Sequence, residues 1–131
     1  MRRLLLALSA LALSASTVRA EWNPAAFSSQ DTLEFLTTAP GEAEHWSTVW
    51  LVVIDGQVYI RLGTRAAGRM DTNTTKPIVK VRIAGQVYDR ITAEPAPDHA
   101  AAVANAMHDK YWSDVFVRYF NHPLTMRLVP G

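Results

Sequence analysis

The chain has 131 residues, a formal net charge of +1 and no cysteine. Without cysteine there is no disulfide and no thiol for lipid attachment, so an oxidising compartment is permitted but unused. The first twenty residues read as an export signal. Their removal takes away Arg2, Arg3 and Arg19 and no acid, which moves the charge from +1 to −2 and leaves 111 residues. That balance speaks against a nucleic-acid binder and against a polybasic membrane binder.

The N-terminus begins with basic Arg2 and Arg3, continues with the apolar run Leu4 to Leu13, and ends on the small-residue site Val18-Arg19-Ala20. This is the order of a secretory signal peptide, and the apolar run is too short to span a membrane. Arg2-Arg3 lacks the extended leader of a twin-arginine signal. The expectation is Sec-type export with cleavage after Ala20, a periplasmic or secreted protein, and one domain over 21–131. No membrane association is expected after cleavage.

Next comes a Pro-containing lead-in from Glu21 to Phe27. Ser28 or Ser29 then suits the cap of a short helix to about Thr38, with Leu33, Phe35 and Leu36 on its apolar side and Pro40-Gly41 ending it. From Trp46 to Leu62 the sequence predicts a hairpin around Asp55-Gly56, a pair that suits a two-residue type I′ turn. That turn pairs Ile54 with Gln57, Val53 with Val58, Val52 with Tyr59, Leu51 with Ile60, and Trp50 with Arg61. One face is then aliphatic: Val49, Leu51, Val53, Val58, Ile60 and Leu62. The other mixes rings and polar tips: Trp46, Thr48, Trp50, Val52, Ile54, Gln57, Tyr59 and Arg61. The first face is core, and the second must meet a helix, a partner chain or a ligand.

Gly63 to Lys76 reads as a polar loop carrying Arg65 and Arg69. A loop of that length without its own structure usually serves a purpose. Two strands follow, Ile78 to Ile83 and Gln86 to Glu94, with a turn at Ala84-Gly85 that places Lys80 across from Asp89. Asp98 is expected to cap a helix to about Trp112, with Ala100, Val103, Ala104, Met107 and Tyr111 as its buried stripe. Trp112, Phe116, Tyr119 and Phe120 suit core or an interface. Thr125 to Val129 alternates as a last strand. The predicted class is α+β: a small antiparallel split β-barrel with a short N-terminal helix and a longer helix before the last strand.

The run from Val49 to Pro95, the helix ending His108-Asp109-Lys110-Tyr111 and the strand Thr125 to Pro130 resemble the pyridoxamine 5′-phosphate oxidase-like split β-barrels. They look closest to a small uncharacterised branch of that superfamily. The resemblance implies a homodimer and a groove for FMN or deazaflavin F420. It places the cofactor phosphate near Arg61, Thr64, Arg65 and Arg69, ahead of Lys76-Pro77. If an enzyme, the protein would then be a flavin- or deazaflavin-dependent oxidoreductase. Arg69 stands near the position of the family's lysine, Ala67 near its serine, and Met70 where the branch tends to have tryptophan.

On the residues alone, Arg61, Arg65 and Arg69 are the best functional cluster, since guanidinium forks bind phosphate and carboxylate bidentately. With Trp50 and Tyr59 they suggest an anionic ligand that carries a planar ring. Arg61 would lie on the indole of Trp50, and if the ladder ran past Leu62, Arg65 would come opposite Trp46. The alternative is a cofactor-free exported binding or accessory module, in which Arg61 only covers Trp50 and the loop arginines are solvated. His45, His99, His108 and His122 are scattered, with His99 and His108 on opposite sides of one helix, so a metal site is not expected. No serine stands in a nucleophile-elbow sequence, which leaves a hydrolase as a distant option.

The leader makes a direct prediction. Protein recovered from an exporting host should have the mass of a chain beginning at Glu21. Mature protein that still carries Leu4 to Leu13 would contradict the reading.

Overall fold

The computed structural model describes residues 21–111 and 124–131. Among these, six antiparallel strands close into a barrel in the order β1-β2-β3-β6-β5-β4, with β4 returning to β1. The strands are β1 Thr32–Thr37, β2 His45–Ile54, β3 Gln57–Leu62, β4 Ile78–Ile83, β5 Gln86–Pro95 and β6 Leu124–Pro130. Helices α1 Pro24–Phe27, α2 Thr64–Thr72 and α3 Ala100–Lys110 accompany them, and a 3-10 turn at Pro97–His99 leads into α3.

The hairpin forms as its turn residues require. Asp55 and Gly56 have φ of 50° and 74°, the positive pair of a type I′ turn. The register matches from Ile54↔Gln57 to Leu51↔Ile60 and stops there. Trp50 is instead the last residue of β2 to pair with β1, opposite Thr32. β2 therefore changes partners between Trp50 and Leu51.

The two hairpin faces divide as their chemistry demands. Leu51, Val58, Ile60 and Leu62 join Leu33, Phe35, Val81 and Leu128 in the barrel interior. Phe27 of α1 closes one part of that core, with Trp22 and Tyr88 packed edge-on around it at ring separations of 4.9 to 5.8 Å. The mixed face meets a helix of its own chain. Val52 and Tyr59 lie under Val103, Met107 and Tyr111, with Trp50 and Ile54 at the margin.

Two expectations are overturned. The segment expected to form a helix from Ser28 or Ser29 to about Thr38 is strand β1. Leu33, Phe35 and Thr37 alternate inward with period two, and β1 is paired on both sides, which outweighs the helical spacing of Leu33 and Leu36. The short N-terminal helix lies earlier, at Pro24–Phe27. The polar loop from Gly63 is also wrong: its first part is α2. Met70 is buried, and Ala66 and Ala67 pack on the barrel core four and three residues before it.

Smaller points divide. Lys80 and Asp89 do form an ion pair, at 3.8 Å across the Ala84-Gly85 turn. Val103, Met107 and Tyr111 are buried, whereas Ala100 is exposed and Ala104 only half-buried. Asp98 makes no capping hydrogen bond. The signal segment, Trp112, Phe116, Tyr119, Phe120 and His122 lie outside the described residues.

Phe35 is fully buried at the centre of the barrel. Phe35→Ala should lower the unfolding free energy by about 3–5 kcal/mol. Chemical denaturation checks this, and a change below ~1 kcal/mol would mean that the core is not organised around β1.

Candidate functional site

β2 and β3 part after Leu51↔Ile60, while β3 runs on beside β6 to Leu62 before α2 begins at Thr64. A cleft of about 560 Å³ opens between them. Thr48, Val49 and Trp50 line one side. Successive strand residues point to opposite faces, so three in a row can line one cleft only along the strand edge. Gly63, Thr64, Arg65 and Ala66 line the other side, and Arg61 stands just before them. Four consecutive residues there mean that the cleft meets the end of α2. Thr32 of β1 and Met107 of α3 complete the wall.

The N-terminus of α2 has no side-chain cap, because Gly63 occupies the cap position in an extended conformation. The first helical hydrogen bond runs from the Ala67 N–H to the Gly63 carbonyl, at 2.8 Å. The N–H groups of a first turn point out of the helix end and carry partial positive charge. With Arg61 and Arg65 alongside, this end of the cleft is cationic.

Four of the six residues chosen from the sequence come together here: Trp50, Arg61, Thr64 and Arg65. Arg69 lies one helical turn beyond Arg65 and does not line the cleft. Tyr59 is elsewhere. It is 2% exposed, stacked on His99 at 5.2 Å and hydrogen-bonded to Arg127, which also pairs with Glu94 at 2.6 Å. The hairpin face was assigned correctly, but α3 covers the part that bears Tyr59.

The expected cation–ring contact is also rearranged. Tyr111, not Arg61, stacks on Trp50, with centroids 4.4 Å apart and planes 10° from parallel. A guanidinium does sit over an indole, but it is Arg82 over Trp46 at 4.1 Å. Arg82 is held there by two bonds to Glu34, at 2.9 and 3.0 Å, and this hydrogen bonding keeps the Glu34 carboxyl below its ordinary value. The ladder does not run past Leu62 toward Trp46, because the chain turns into α2 and Trp46 pairs with Leu36 of β1.

Sequence reasoning missed Thr32, Thr48 and Met107. Thr48 carried a usable signal, since it shares a face with Trp50 two residues away. Thr32 was hidden by the misread helix. Met107 reaches the cleft only through the docking of α3, which no local pattern encodes.

That docking is fixed at the end of α3. The Tyr111 hydroxyl lies 2.6 Å from the Leu51 carbonyl and 2.7 Å from that of Asp31, so its single proton serves both. Lys110 donates to the Gln30 and Leu51 carbonyls at 2.5 and 3.1 Å. These carbonyls lie where β1 begins; that of Asp31 also accepts the Leu51 N–H at 3.3 Å, the last main-chain bond between the two segments. Burial lowers the Lys110 ammonium pKa from its ordinary value, partly offset by Asp31. Burial raises the Tyr111 hydroxyl to about 12.

Among the described residues, no three histidine, aspartate or glutamate side chains gather as a metal site, and no helix is long and apolar enough to cross a membrane. In comparisons with known proteins, no family model and no curated sequence matches the chain.

Tyr111 gives a pH prediction. Its proton is held more tightly in the folded state, so the stability it contributes is complete below pH 10 and is lost as pH rises through about 12. Tyr111→Phe should cost about 1 kcal/mol at neutral pH. Melts of both proteins should converge between pH 10 and about 12. A gap that stays constant over that range would contradict the assignment.

Proposed function

We propose that this is an exported split β-barrel protein whose cleft binds a planar, phosphate-bearing ligand of the FMN or F420 kind. The observation that carries the reading is one cleft with a cationic end, made by Arg61, Arg65 and the first turn of α2, and an aromatic wall at Trp50. Its volume of about 560 Å³ falls within the roughly 300–1,000 Å³ of small-molecule sites.

The fit has two parts. Arg61, Arg65, Thr64 and the helix end suit a phosphate, which takes several donors at once. Trp50, one face of whose ring is taken by Tyr111, lines the same cleft with Thr32 and Thr48. Tyr59 takes no part, so the platform is one ring rather than two. A bound flavin would supply redox chemistry, and the protein as an oxidoreductase would hold and orient it. Assembly as a homodimer stays within the proposal, carried now by the aromatic composition of the run after Tyr111. The part of the mixed hairpin face at Val52 and Tyr59 no longer calls for a partner chain, because α3 covers it.

A second reading, the cofactor-free binding module, is favoured by one specific feature. Among the described residues β3 pairs with β2 only from Leu51 onward, so the main chain of Thr48 and Trp50 borders the cleft beside their side chains, and a compact ligand has no use for that main chain.

The test is titration of the exported protein with FMN, F420 and pyridoxal phosphate. A charge-assisted bond shielded from water contributes roughly 1.5–3 kcal/mol. Arg65→Ala should therefore weaken binding about tenfold or more, since ~1.4 kcal/mol is a factor of ten. Arg65 is exposed, so thermal melts should hardly change. Equal affinity in the two proteins, or no binding of any of the three, would contradict the reading.

A further inference from the structure

We infer that a second cleft, at the end of β1 away from Thr32, binds a zwitterionic dipeptide by its two charged termini. The cleft has a volume of about 370 Å³. Leu36 of β1, Ile78 and Lys80 of β4, Asp89 and Arg90 of β5, and Glu44 just before β2 line it. None of these residues lines the first cleft, so the inference does not depend on what that cleft holds.

Two local features build the cleft. The first is a bulge in β5. Val79 pairs with Ile91 and Val81 with Tyr88, so Asp89 and Arg90 together stand opposite Lys80. Successive strand residues ordinarily point to opposite faces, and the extra residue of a bulge breaks that alternation. Two neighbours in the sequence therefore line one cleft, with Asp89 at 3.8 Å from the Lys80 ammonium. The second feature is Asn73, which is 5% exposed. Its Oδ1 accepts the Thr38 N–H at 3.0 Å, and its Nδ2 donates to the Ile78 carbonyl and the Thr75 hydroxyl at 3.1 Å. Asn73 thus ties the turn before β4 to the end of β1, and Thr38 and Thr75 from those two segments complete the wall.

The charges of the lining select the ligand. Lys80 and Arg90 are balanced by Glu44 and Asp89. A simple anion drawn to the cations meets the carboxylates, and a simple cation meets the reverse. A molecule that carries both signs gains from both sets. Lys80 and Asp89 engage each other, whereas Glu44 and Arg90 have no ion-pair partner among the described residues. The strands run in the order β2-β1-β4-β5, which puts Glu44 and Arg90 at the two sides of the cleft. Three spacings of ~4.8 Å separate their main chains by about 14 Å. A free α-amino acid holds both charges on one carbon and cannot meet both sides. The termini of an extended dipeptide lie about 7 Å apart, and the two side chains reach in from either side to cover the remainder. Leu36 and Ile78, on the two strands between, offer an apolar floor for one peptide side chain.

The test is calorimetric titration of the exported protein with alanyl-leucine, its N-acetyl form, its C-terminal amide and free leucine. Alanyl-leucine should bind, and each of the other three should bind about fivefold or more weakly, the worth of roughly one charged contact in an open cleft. Glu44→Gln should erase the preference over the N-acetyl form and keep the preference over the amide. Arg90→Gln should do the opposite. Both residues are exposed, so melts of the variants should match the wild type. Added FMN should leave the dipeptide affinity unchanged. No binding of alanyl-leucine, equal binding of the capped forms, or variants that keep both preferences would overturn the inference. Displacement of the dipeptide by FMN would place it in the first cleft and would also overturn it.

Discussion

β2 is longer than either of its partners, and it is handed from one to the other. β1 covers it up to Trp50, and β3 covers it from Leu51. A strand has two edges, and every main-chain group on each needs a partner or water. At a hand-over each partner ends where the other begins, so each edge has a stretch that no strand of the described residues serves. The rest of the structure follows from how those two stretches are treated. On the β1 side, the Leu51 carbonyl receives the Tyr111 hydroxyl and the Lys110 ammonium. On the β3 side, β3 turns away into α2, and the gap becomes the cleft.

The two treatments are linked through Trp50. The ring of Tyr111 that reaches the Leu51 carbonyl also stacks on Trp50, which lines the cleft. The same helix supplies Met107 to the cleft wall. One docked helix thus satisfies the first edge, covers the mixed face of the hairpin and shapes the second edge. Mutations at the end of α3 should be felt in the cleft even though they touch no ligand, because a stacked ring transmits a change of position directly. The cationic end has a separate origin. It comes from the chain leaving the sheet at Gly63, where a residue without a side chain leaves the first turn of α2 uncapped.

Much of this was legible where a local rule was decisive. Asp55-Gly56 allows few turns, so register, faces and core followed from two residues. Val103, Met107 and Tyr111 recur at helical spacing, and they are buried against Val52 and Tyr59 of the hairpin. β1 was misread because Leu33, Phe35 and Leu36 fit both periods, and only pairing with two neighbours decides between them. α2 was misread because its stripe is Ala66, Ala67 and Met70, with Gly68 inside it. Small side chains give a weak hydrophobic signal, yet they suit a helix that lies close to a barrel. Of the site, the arginines and Trp50 were legible because they sit near each other in the chain and on one hairpin face. Tyr59 satisfied the same rule and failed, since the rule says which face a residue takes and not what covers it. Thr32 and Met107 depended on contacts between distant segments.

The central claim is that β2 is handed from β1 to β3 at Trp50 and Leu51, so that no strand of the described residues pairs with its β3 side before Leu51. Residue-resolved amide hydrogen exchange by NMR tests it without any ligand. The amides of Ser47, Val49 and Leu51 point toward β1 and should be protected, while those of Trp46 and Thr48 should exchange much faster, giving an alternating pattern along one strand. Uniform protection from Trp46 to Leu51 would show that the edge is covered, and the cleft would then not offer its main chain to anything.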